Sequence, residues 1–176
     1  MKHSTERTLT THAGSLARPH ELLETMKAKE HGESYDPGLF EAQVRAAVAA
    51  VVRRQVDCGL DIVCDGEQGK VSFATYVGER LSGFEPTTEG MSAETAWQAE
   101  VEMFPDYYRR YFEKYAGTVA PFARPVCTGP IAYTGHAAVR RDIDNLKAAL
   151  EGLDFEDAFM PAVAPGGFGT NTFYPG

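Results

Sequence analysis

The 176-residue chain lacks the features that mark several large classes of protein. No apolar run approaches the roughly 18–20 residues that a membrane-spanning helix needs. The polar N-terminus, MKHSTERTLTTHAGS, has no apolar core of the kind found in signal peptides. Three cysteines form neither a CxxC pair nor the disulfide framework of a secreted domain. These absences predict a cytoplasmic protein with no membrane partner.

Positive charge is also scarce, with 17 basic residues against 25 acidic ones and a net charge of −8. No lysine- or arginine-rich run is present, so nucleic acid is not an expected partner. The five histidines are scattered, and no HxC or HxxxH spacing occurs. Phosphate-binding loops of the Walker or GxGxxG type and the nucleophile elbow GxSxG are missing too. Spacing alone therefore predicts no metal site in this chain.

Short β-like runs alternate with helical segments along the chain, which is typical of a parallel α/β sheet. Strands are predicted at Leu9–Thr11, Leu60–Cys64, Pro125–Cys127 and Asp154–Val163. Helices are predicted at 20–29, at Leu39–Cys58, from about Ala93 to Tyr115 with a break near Pro105, and at 139–151. Residues 70–92 are interpreted as a surface excursion, and a loop-like tail begins at about 165.

Four strands separated by helices predict one α/β domain over residues 1–176. Two architectures fit this alternation: a self-contained doubly wound sheet, or half of a (β/α)8 barrel, which typically needs about 250 residues. The end of the sequence just past the fourth strand favours the half barrel.

Two motifs at predicted strand ends carry groups with useful chemistry. After the first strand, His12-Ala13-Gly14-Ser15 offers an imidazole, a hydroxyl and a glycine that lets a ligand approach the backbone. After the second, Asp65-Gly66-Glu67 offers two carboxylates for a substrate ammonium or for general-base work. Ligands bind at the carboxyl ends of parallel strands. The alternative is a capping serine, a structural histidine and a pair of acidic surface residues.

A third motif, Cys127-Thr128-Gly129-Pro130, follows the third predicted strand. A lone cysteine on a strand is more often a small buried apolar residue than a nucleophile. Cys58, Cys64 and Cys127 are therefore predicted to be structural. The tyrosines and phenylalanine between residues 107 and 115 predict a buried or interface-facing aromatic stripe, with a substrate-facing stack as the alternative.

Taken in order, the three motifs resemble the cobalamin-independent methionine synthase family. They are Thr11-His12-Ala13-Gly14-Ser15, the run from Gly59 to Glu67 (GLDIVCDGE), and Thr128-Gly129-Pro130. The resemblance extends from about Thr8 to Ala164 and is closest to the short branch that keeps only the C-terminal catalytic barrel.

This resemblance implies a (β/α)8 barrel that methylates a thiol such as homocysteine from a folate or corrinoid donor. It implies zinc as the cofactor of the complete barrel, where the metal ionises the thiol. By motif, Ser15 matches a contact to the amino-acid part of homocysteine, and Glu67 matches the partner of its ammonium group. Thr128 matches a pocket-lining loop, while His12, Gly14 and Asp65 lie beside these residues.

Two departures from the family pattern matter. The long form has histidine where this chain has Asp65, which puts homocysteine itself in question as the thiol. The family's zinc ligands come from the second half of the barrel, beyond this chain, so His12 is the one outside candidate for a metal ligand. The chain is expected to be a natural truncation, a fragment or one partner of a split protein. Such a half barrel is expected to form a homodimer or to pair with the missing C-terminal half.

Three functions follow from these observations. The first is the substrate-binding half of a zinc-dependent methyltransferase that does not turn over alone. The second is a relative that opens an epoxide with a coenzyme M-type thiol, or a decarboxylase-like barrel. The third is a non-catalytic half-barrel homodimer that acts as a binding module.

Overall fold

Helices and strands alternate along the chain in a computed structural model that describes residues 2–87, 98–115 and 124–164. The elements in chain order are α1 (His20–Glu30), α2 (Pro37–Asp57), β1 (Ile62–Cys64), α3 (Phe73–Gly78), β2 (Leu81–Thr87), α4 (Gln98–Met103), α5 (Pro105–Tyr115), β3 (Arg124–Tyr133), α6 (His136–Leu150) and β4 (Asp157–Phe159). Within these residues no helix is both long enough and apolar enough to cross a bilayer.

Helix α2 is the longest element, and its predicted bounds are confirmed to within two residues. It begins where the Asp36 carboxylate accepts hydrogen bonds from the backbone N–H groups of Gly38 and Leu39, at 2.8 and 3.2 Å. Such an N-cap satisfies donors that have no partner inside the helix. The helix ends before Gly59, whose φ of +79° allows the chain to turn directly into β1.

A short parallel sheet carries the predicted site. β1 pairs in parallel with β4, with Ile62 opposite Asp157, and Thr11 forms a single parallel bridge to Ile62 on the other side. The first predicted strand is therefore reduced to one bridge, and the fourth is shorter than Asp154–Val163. The Asp61 carboxylate ties the first segment in place by accepting bonds from Thr10 N and Thr10 Oγ1, at 2.7 and 2.9 Å.

The apolar core lies where α1, α2 and α6 meet this sheet. Its buried members share aliphatic or thioether side chains at helical spacing or on β1: Leu22, Met26, Val44, Ala47, Val48, Val52, Val63 and Leu146. Val52 and Val63 are fully buried. The predicted stripe on α2 thus fixes which face of the helix covers β1, and this leaves the end of β1 free to carry polar groups.

The prediction that Pro125–Cys127 is a parallel strand of the same sheet is wrong. These residues lie in β3, which pairs antiparallel with β2 in a separate two-stranded sheet. β2 falls within residues 70–92, which were interpreted as a surface excursion. Its sequence, LSGFEPT, contains Gly83 and Pro86, which mask strand periodicity. Antiparallel strands need no crossover helix, so counting helices between strands could not reveal this pairing.

The other predicted helices follow the sequence closely, whereas α3 (Phe73–Gly78) lies within residues 70–92, where no helix is predicted. The break near Pro105 separates α4 from α5, as predicted, and α6 begins three residues before the predicted residue 139. In the aromatic stripe, Tyr107 is 61% exposed, so this residue is not buried within the described chain. Residues 93–97 of the predicted helix and the predicted tail from 165 lie outside the described residues.

Candidate functional site

The first two motifs meet at the carboxyl end of β1. The loop of His12–Ser15 follows the Thr11 bridge, and the turn of Asp65–Glu67 follows β1 directly. The backbone N–H of Leu16 donates to the carbonyl of Gly66 at 3.0 Å. The Gln68 side chain reinforces the junction by donating from Nε2 to the carbonyl of Leu16, also at 3.0 Å. Because main-chain bonds join the two loops, their side chains have a fixed relative position.

The Asp65–Glu67 turn has an uncommon backbone conformation. Gly66 and Glu67 both have positive φ angles, +58° and +57°. Glycine adopts this region freely, whereas a residue with a side chain does so at a cost of roughly 1–3 kcal/mol. Strained residues of this kind concentrate at functional sites, where surrounding contacts maintain them. The conformation of Glu67 therefore marks this turn independently of any motif.

The hydroxyl of Ser15 donates to the Glu67 carboxylate, with 2.5 Å between Oγ and Oε2. Glu67 is buried, with 6% of its surface exposed. Within the described part of the chain, no lysine, arginine or histidine forms an ion pair with this carboxylate. A buried carboxylate with one hydroxyl partner has unused hydrogen-bonding capacity, and its charge lacks an ion-pair partner among the described residues. This arrangement suits a ligand that brings its own cation.

Asp65 differs sharply from Glu67, although the two lie only two positions apart. Its Oδ2 forms an ion pair with Lys70 Nζ at 2.6 Å, and both side chains are buried. Its Oδ1 accepts the backbone N–H of Glu67 at 3.0 Å. Both carboxylate oxygens are therefore engaged inside the protein. Direct contact between Asp65 and a substrate stays a prediction.

Arg18 holds the same turn from the other loop. Its Nη2 donates to the backbone carbonyls of Glu67 and Lys70, at 2.7 and 2.5 Å. Burial lowers the pKa of the guanidinium, while the charges of Glu67 and Asp65 oppose that change. Arg18 Nε is buried without a hydrogen-bond partner within the described structure. The arginine thus binds backbone oxygens and leaves the Glu67 carboxylate unpaired.

His12 and Cys64 lie beside the turn but face other groups. His12 is half-buried, and its Nε2 lies 3.1 Å from the carbonyl of Gly14 in its own loop. Gly14 has a φ of +100°, as its predicted role in a tight loop requires. Cys64 is fully buried, and burial raises the pKa of its thiol. The Gln55 side chain bonds both the N–H and the carbonyl of Cys64, at 3.0 and 2.8 Å, which agrees with a structural cysteine.

Thr128 lies in the other sheet. It is exposed and belongs to the stretch of β3 where the register with β2 shifts, opposite Gly83. None of the hydrogen bonds that join Ser15, Asp65 and Glu67 includes it. Its role as a pocket residue stays a prediction, whereas His12, Gly14, Ser15, Asp65 and Glu67 are brought together.

The donors at the site do not match the needs of a zinc ion. Across the described ranges, no group of three or more histidine, cysteine, aspartate or glutamate residues could hold a metal. His12 is turned toward the Gly14 carbonyl, and the Cys64 thiol packs against Gln55. Zinc sites in proteins use at least three such ligands. No metal-dependent step can be assigned to these residues.

Sequence reasoning missed three residues that organise the site: Arg18, Gln55 and Lys70. Arg18 lies three residues after Ser15, and Lys70 lies five residues after Asp65, so both are close in sequence to the two motifs. Their partners are mostly backbone oxygens, and no sequence pattern reports which carbonyls will be left unbonded by a turn. A lysine this close in sequence to two acids at a strand end was the one usable signal.

Comparisons with known proteins identify relatives of this chain. The family model described as the catalytic domain of cobalamin-independent synthase matches residues 8–154. A methionine synthase from Sulfolobus acidocaldarius is 31% identical over 70% of this chain and 29% of its own length. A 5-methyltetrahydropteroyltriglutamate–homocysteine methyltransferase from Corynebacterium efficiens is 35% identical over 46% of this chain and 11% of its own length.

A solved structure shows the fold. The B12-independent methionine synthase from Shewanella sp. W3-18-1, in complex with selenomethionine, superposes with a TM-score of 0.62 at 19% identity. The likeness covers 94% of this chain and 40% of that one. The chain thus spans less than half the length of each of these relatives. With 147 consecutive residues matched by the family model (8 through 154), this chain belongs to the catalytic-domain family of the cobalamin-independent methionine synthases.

Proposed function

We propose that this chain supplies the amino-acid-binding side of a methyltransferase that methylates a thiol amino acid such as homocysteine. In this proposal it forms the N-terminal half of a (β/α)8 barrel in the cytoplasm. The methyl donor, a folate or a corrinoid, and the zinc ion would be bound with the remainder of the barrel. Membership of the family supports the reaction class, and the geometry of the site supports the role of this half.

The buried carboxylate of Glu67 carries the proposal. It lies at the carboxyl end of β1, where α/β enzymes bind ligands, and it has no cationic partner among the described residues. An α-ammonium group placed against it would form a charge-assisted hydrogen bond. The strained φ of Glu67 is maintained by its neighbours, so the carboxylate is held in position before the ligand arrives.

Ser15 completes the recognition of the amino-acid group. Its hydroxyl donates to Glu67 in the free protein, and its oxygen retains acceptor capacity for an ammonium proton. Alternatively, the hydroxyl rotates to donate to the ligand's α-carboxylate when the ammonium replaces it on Glu67. Both arrangements keep every buried polar group bonded, which a recognition site must do.

In the family, zinc would ionise the substrate thiol near neutral pH. The described part of this chain does not bring a zinc ligand set together, so the proposal leaves that chemistry to residues outside it. The purified chain is then expected to hold well below one zinc per molecule and to show no methyl transfer to homocysteine. Elemental analysis and a methionine-formation assay test both points. Turnover by the chain alone would contradict the assignment of one half of the site.

The binding role is tested by calorimetry with two thiols that differ in one group. L-Homocysteine carries the α-ammonium, and 4-mercaptobutyrate lacks it. A charge-assisted hydrogen bond is worth roughly 1.5–3 kcal/mol, so homocysteine should bind at least about tenfold more tightly. Equal affinities would reject Glu67 as an ammonium site. Preference for 2-mercaptoethanesulfonate, a thiol with no ammonium, would favour the coenzyme M-type reaction instead.

The expected partner of the chain is a complementary C-terminal half or a second copy. β4 is bonded to β1 on one side, and within the described residues no strand pairs with its other side. An unpaired strand edge is a ready template for another strand. Size-exclusion chromatography with light scattering distinguishes a homodimer from a monomer. A monodisperse monomer would count against self-association.

A further inference from the structure

The ion pair between Asp65 and Lys70 has a burial that stability alone does not explain. Only 3% of the Lys70 side chain and 8% of the Asp65 side chain are exposed. Removing two charges from water is costly, and replacement of a buried pair by apolar residues is often neutral or stabilising. This pair also lies directly beside the strained residue Glu67. The pair therefore contacts the residue that carries the candidate site.

A continuous series of contacts links the lysine to the Glu67 carboxylate. Lys70 Nζ binds Asp65 Oδ2 at 2.6 Å, and Asp65 Oδ1 accepts the Glu67 N–H at 3.0 Å. The Glu67 side chain then meets Ser15. The ring of Tyr76 lies 5.3 Å from Lys70 Nζ and stabilises the ammonium in its buried position. Lys70 therefore orients Asp65, and Asp65 orients the backbone of Glu67.

The same pair separates the roles of two neighbouring carboxylates. Without a cation beside it, Asp65 would be a second buried negative charge two residues from Glu67, and both would attract the same incoming ammonium. With Lys70 present, Asp65 is compensated and directed inward. Glu67 is left as the carboxylate of this turn that forms no ion pair with a described cation.

We propose that Lys70 is a positioning residue that, through its ion pair with Asp65, holds Glu67 in place and makes it the carboxylate that selects thiols bearing an α-ammonium group. This inference rests on the proposed function. It adds the reason why Glu67, and not the neighbouring Asp65, recognises the ammonium group. Lys70 itself does not touch the substrate.

The test uses the double variant Asp65→Leu/Lys70→Met in the 176-residue chain, which removes the ion pair and the side-chain acceptor of the Glu67 N–H. It removes both charges together, so neither partner of the pair is left as an unpaired buried charge. The matched control is Lys29→Met/Glu79→Gln, which removes an equally short lysine–carboxylate pair, 2.5 Å, that is more exposed and lies away from the turn. The conservative variant Lys70→Arg keeps the cation and serves as the rescue.

Two readouts separate positioning from a general structural role. The first is the ratio of dissociation constants for 4-mercaptobutyrate and L-homocysteine, measured by calorimetry on folded protein. The second is the chemical shift and hydrogen exchange of the Glu67 backbone N–H, observed by NMR. A change in overall stability moves neither the ratio nor the chemical shift as long as the protein is folded, and the exchange rate is compared with that of core amides in α2, which report overall stability.

We expect the double variant to lower the ratio of dissociation constants about tenfold, the equivalent of one lost charge-assisted bond. The Glu67 amide proton should move upfield and exchange faster, because its hydrogen bond to Asp65 is lost. The control should match the unmodified chain in both readouts, and Lys70→Arg should retain most of the ratio. A folded double variant with an unchanged ratio and an unchanged Glu67 amide would overturn the proposal.

Failure of the proposed function gives a different pattern. If the unmodified chain does not distinguish the two thiols while the double variant still frees the Glu67 amide, the ammonium site is wrong and the positioning contact stands. If the double variant does not fold, exchange in the unmodified chain decides. A Glu67 amide that exchanges at the rate of an unstructured peptide would then reject the contact from Asp65 and, with it, the role of Lys70.

Discussion

The two small sheets of this protein are built in different ways. In the parallel sheet, β1 ends in a turn whose side chains Asp65, Glu67, Gln68 and Lys70 are all buried. In the antiparallel sheet, the bulged stretch of β3 that contains Thr128 is largely exposed, and Ile131 and Tyr133 are 52% and 44% exposed. One region therefore keeps its polar groups inside, whereas the other leaves even apolar side chains at the surface.

This difference shows where the structure accepts an energetic cost. Buried charges and a positive φ at a glutamate are unfavourable unless neighbours compensate for them. At the end of β1, Lys70 compensates the charge of Asp65, while the carbonyls of Glu67 and Lys70 accept hydrogen bonds from Arg18 and fix the turn. The antiparallel sheet has no comparable network among its described residues. The comparison favours the turn after β1 as the functional region, and the following substitutions test this from the largest expected effect to the smallest.

The largest effect is expected from Lys70→Met alone. Removing one member of a buried ion pair leaves the other charge uncompensated, so the free energy of unfolding should fall by about 3–5 kcal/mol. The exposed residue Glu85 in β2 is the contrast, since Glu85→Gln should cost no more than about 0.5 kcal/mol. Urea denaturation measures both. Equal losses would break the distinction between the two regions.

A second test concerns binding rather than stability. Glu67→Gln removes the charge that we propose meets the ligand's ammonium, and it should weaken L-homocysteine binding about 10- to 100-fold. Thr128→Val removes an exposed hydroxyl of β3 and should change the dissociation constant less than about threefold. Calorimetry on the two variants decides the matter. A larger loss at Thr128 would restore that residue to the pocket and reverse the comparison.

Two glycines with positive φ sharpen the comparison further. Gly66 has a φ of +58°, and an added Cβ would lie 3.1 Å from Val51 and 3.2 Å from Leu16. Gly83 has a φ of +82°, and its Cβ would meet the carbonyl oxygens of Gly129 and Pro130 at 2.6 Å. Alanine at either position should lower the free energy of unfolding by about 1–3 kcal/mol.

The ligand distinguishes these two variants. Gly66→Ala displaces the Glu67 turn and should also weaken homocysteine binding, whereas Gly83→Ala should leave binding by the folded protein unchanged. Thermal unfolding followed by calorimetry measures both properties. If Gly83→Ala weakened binding as strongly as Gly66→Ala, the antiparallel sheet would have to be part of the site.

The smallest effect is expected at Asp61, beneath the site. The Arg7 guanidinium, together with hydrogen bonds from Thr10, holds the pKa of the Asp61 carboxyl well below its usual range. A depressed pKa adds stability that is present above the unfolded-state value, about 3.9, and is lost as the pH falls through the folded value. The difference in stability between the unmodified chain and Asp61→Asn should therefore shrink below about pH 4. The exposed substitution Asp106→Asn on α5 provides the control, and a difference that stays constant with pH would contradict the assignment.

Periodicity in the sequence was sufficient for the regular, apolar parts of the fold. The stripe on α2 and the break at Pro105 are direct consequences of residue spacing, and both are confirmed. The antiparallel pairing of β2 with β3 was not predicted. Both strands contain glycine and proline, which interrupt the alternation of apolar and polar residues by which a strand is recognised. Long-range strand pairing is a tertiary property that local patterns do not report.

The site, like the fold, was predictable from the sequence only in part. The positions of the motifs at predicted strand ends indicated that Ser15 and Glu67 lie close together, because parallel strands share a carboxyl edge. The structure places the two side chains in hydrogen-bond contact. The contrasting roles of Asp65 and Glu67 were not predictable, since they depend on which carboxylate reaches Lys70 in the folded turn. Arg18 was missed because its partners are backbone oxygens, which every residue has.

The central claim is that the Glu67 carboxylate receives the ammonium group of a thiol amino acid. NMR of the chain with ¹³C-labelled glutamate carboxylates, titrated with L-homocysteine and then with 4-mercaptobutyrate, tests it most directly. We predict that homocysteine shifts the Glu67 carboxylate signal and the Ser15 amide, and that 4-mercaptobutyrate does not shift the carboxylate. A Glu67 signal that ignores homocysteine while other residues respond, or that responds equally to both thiols, would contradict the account.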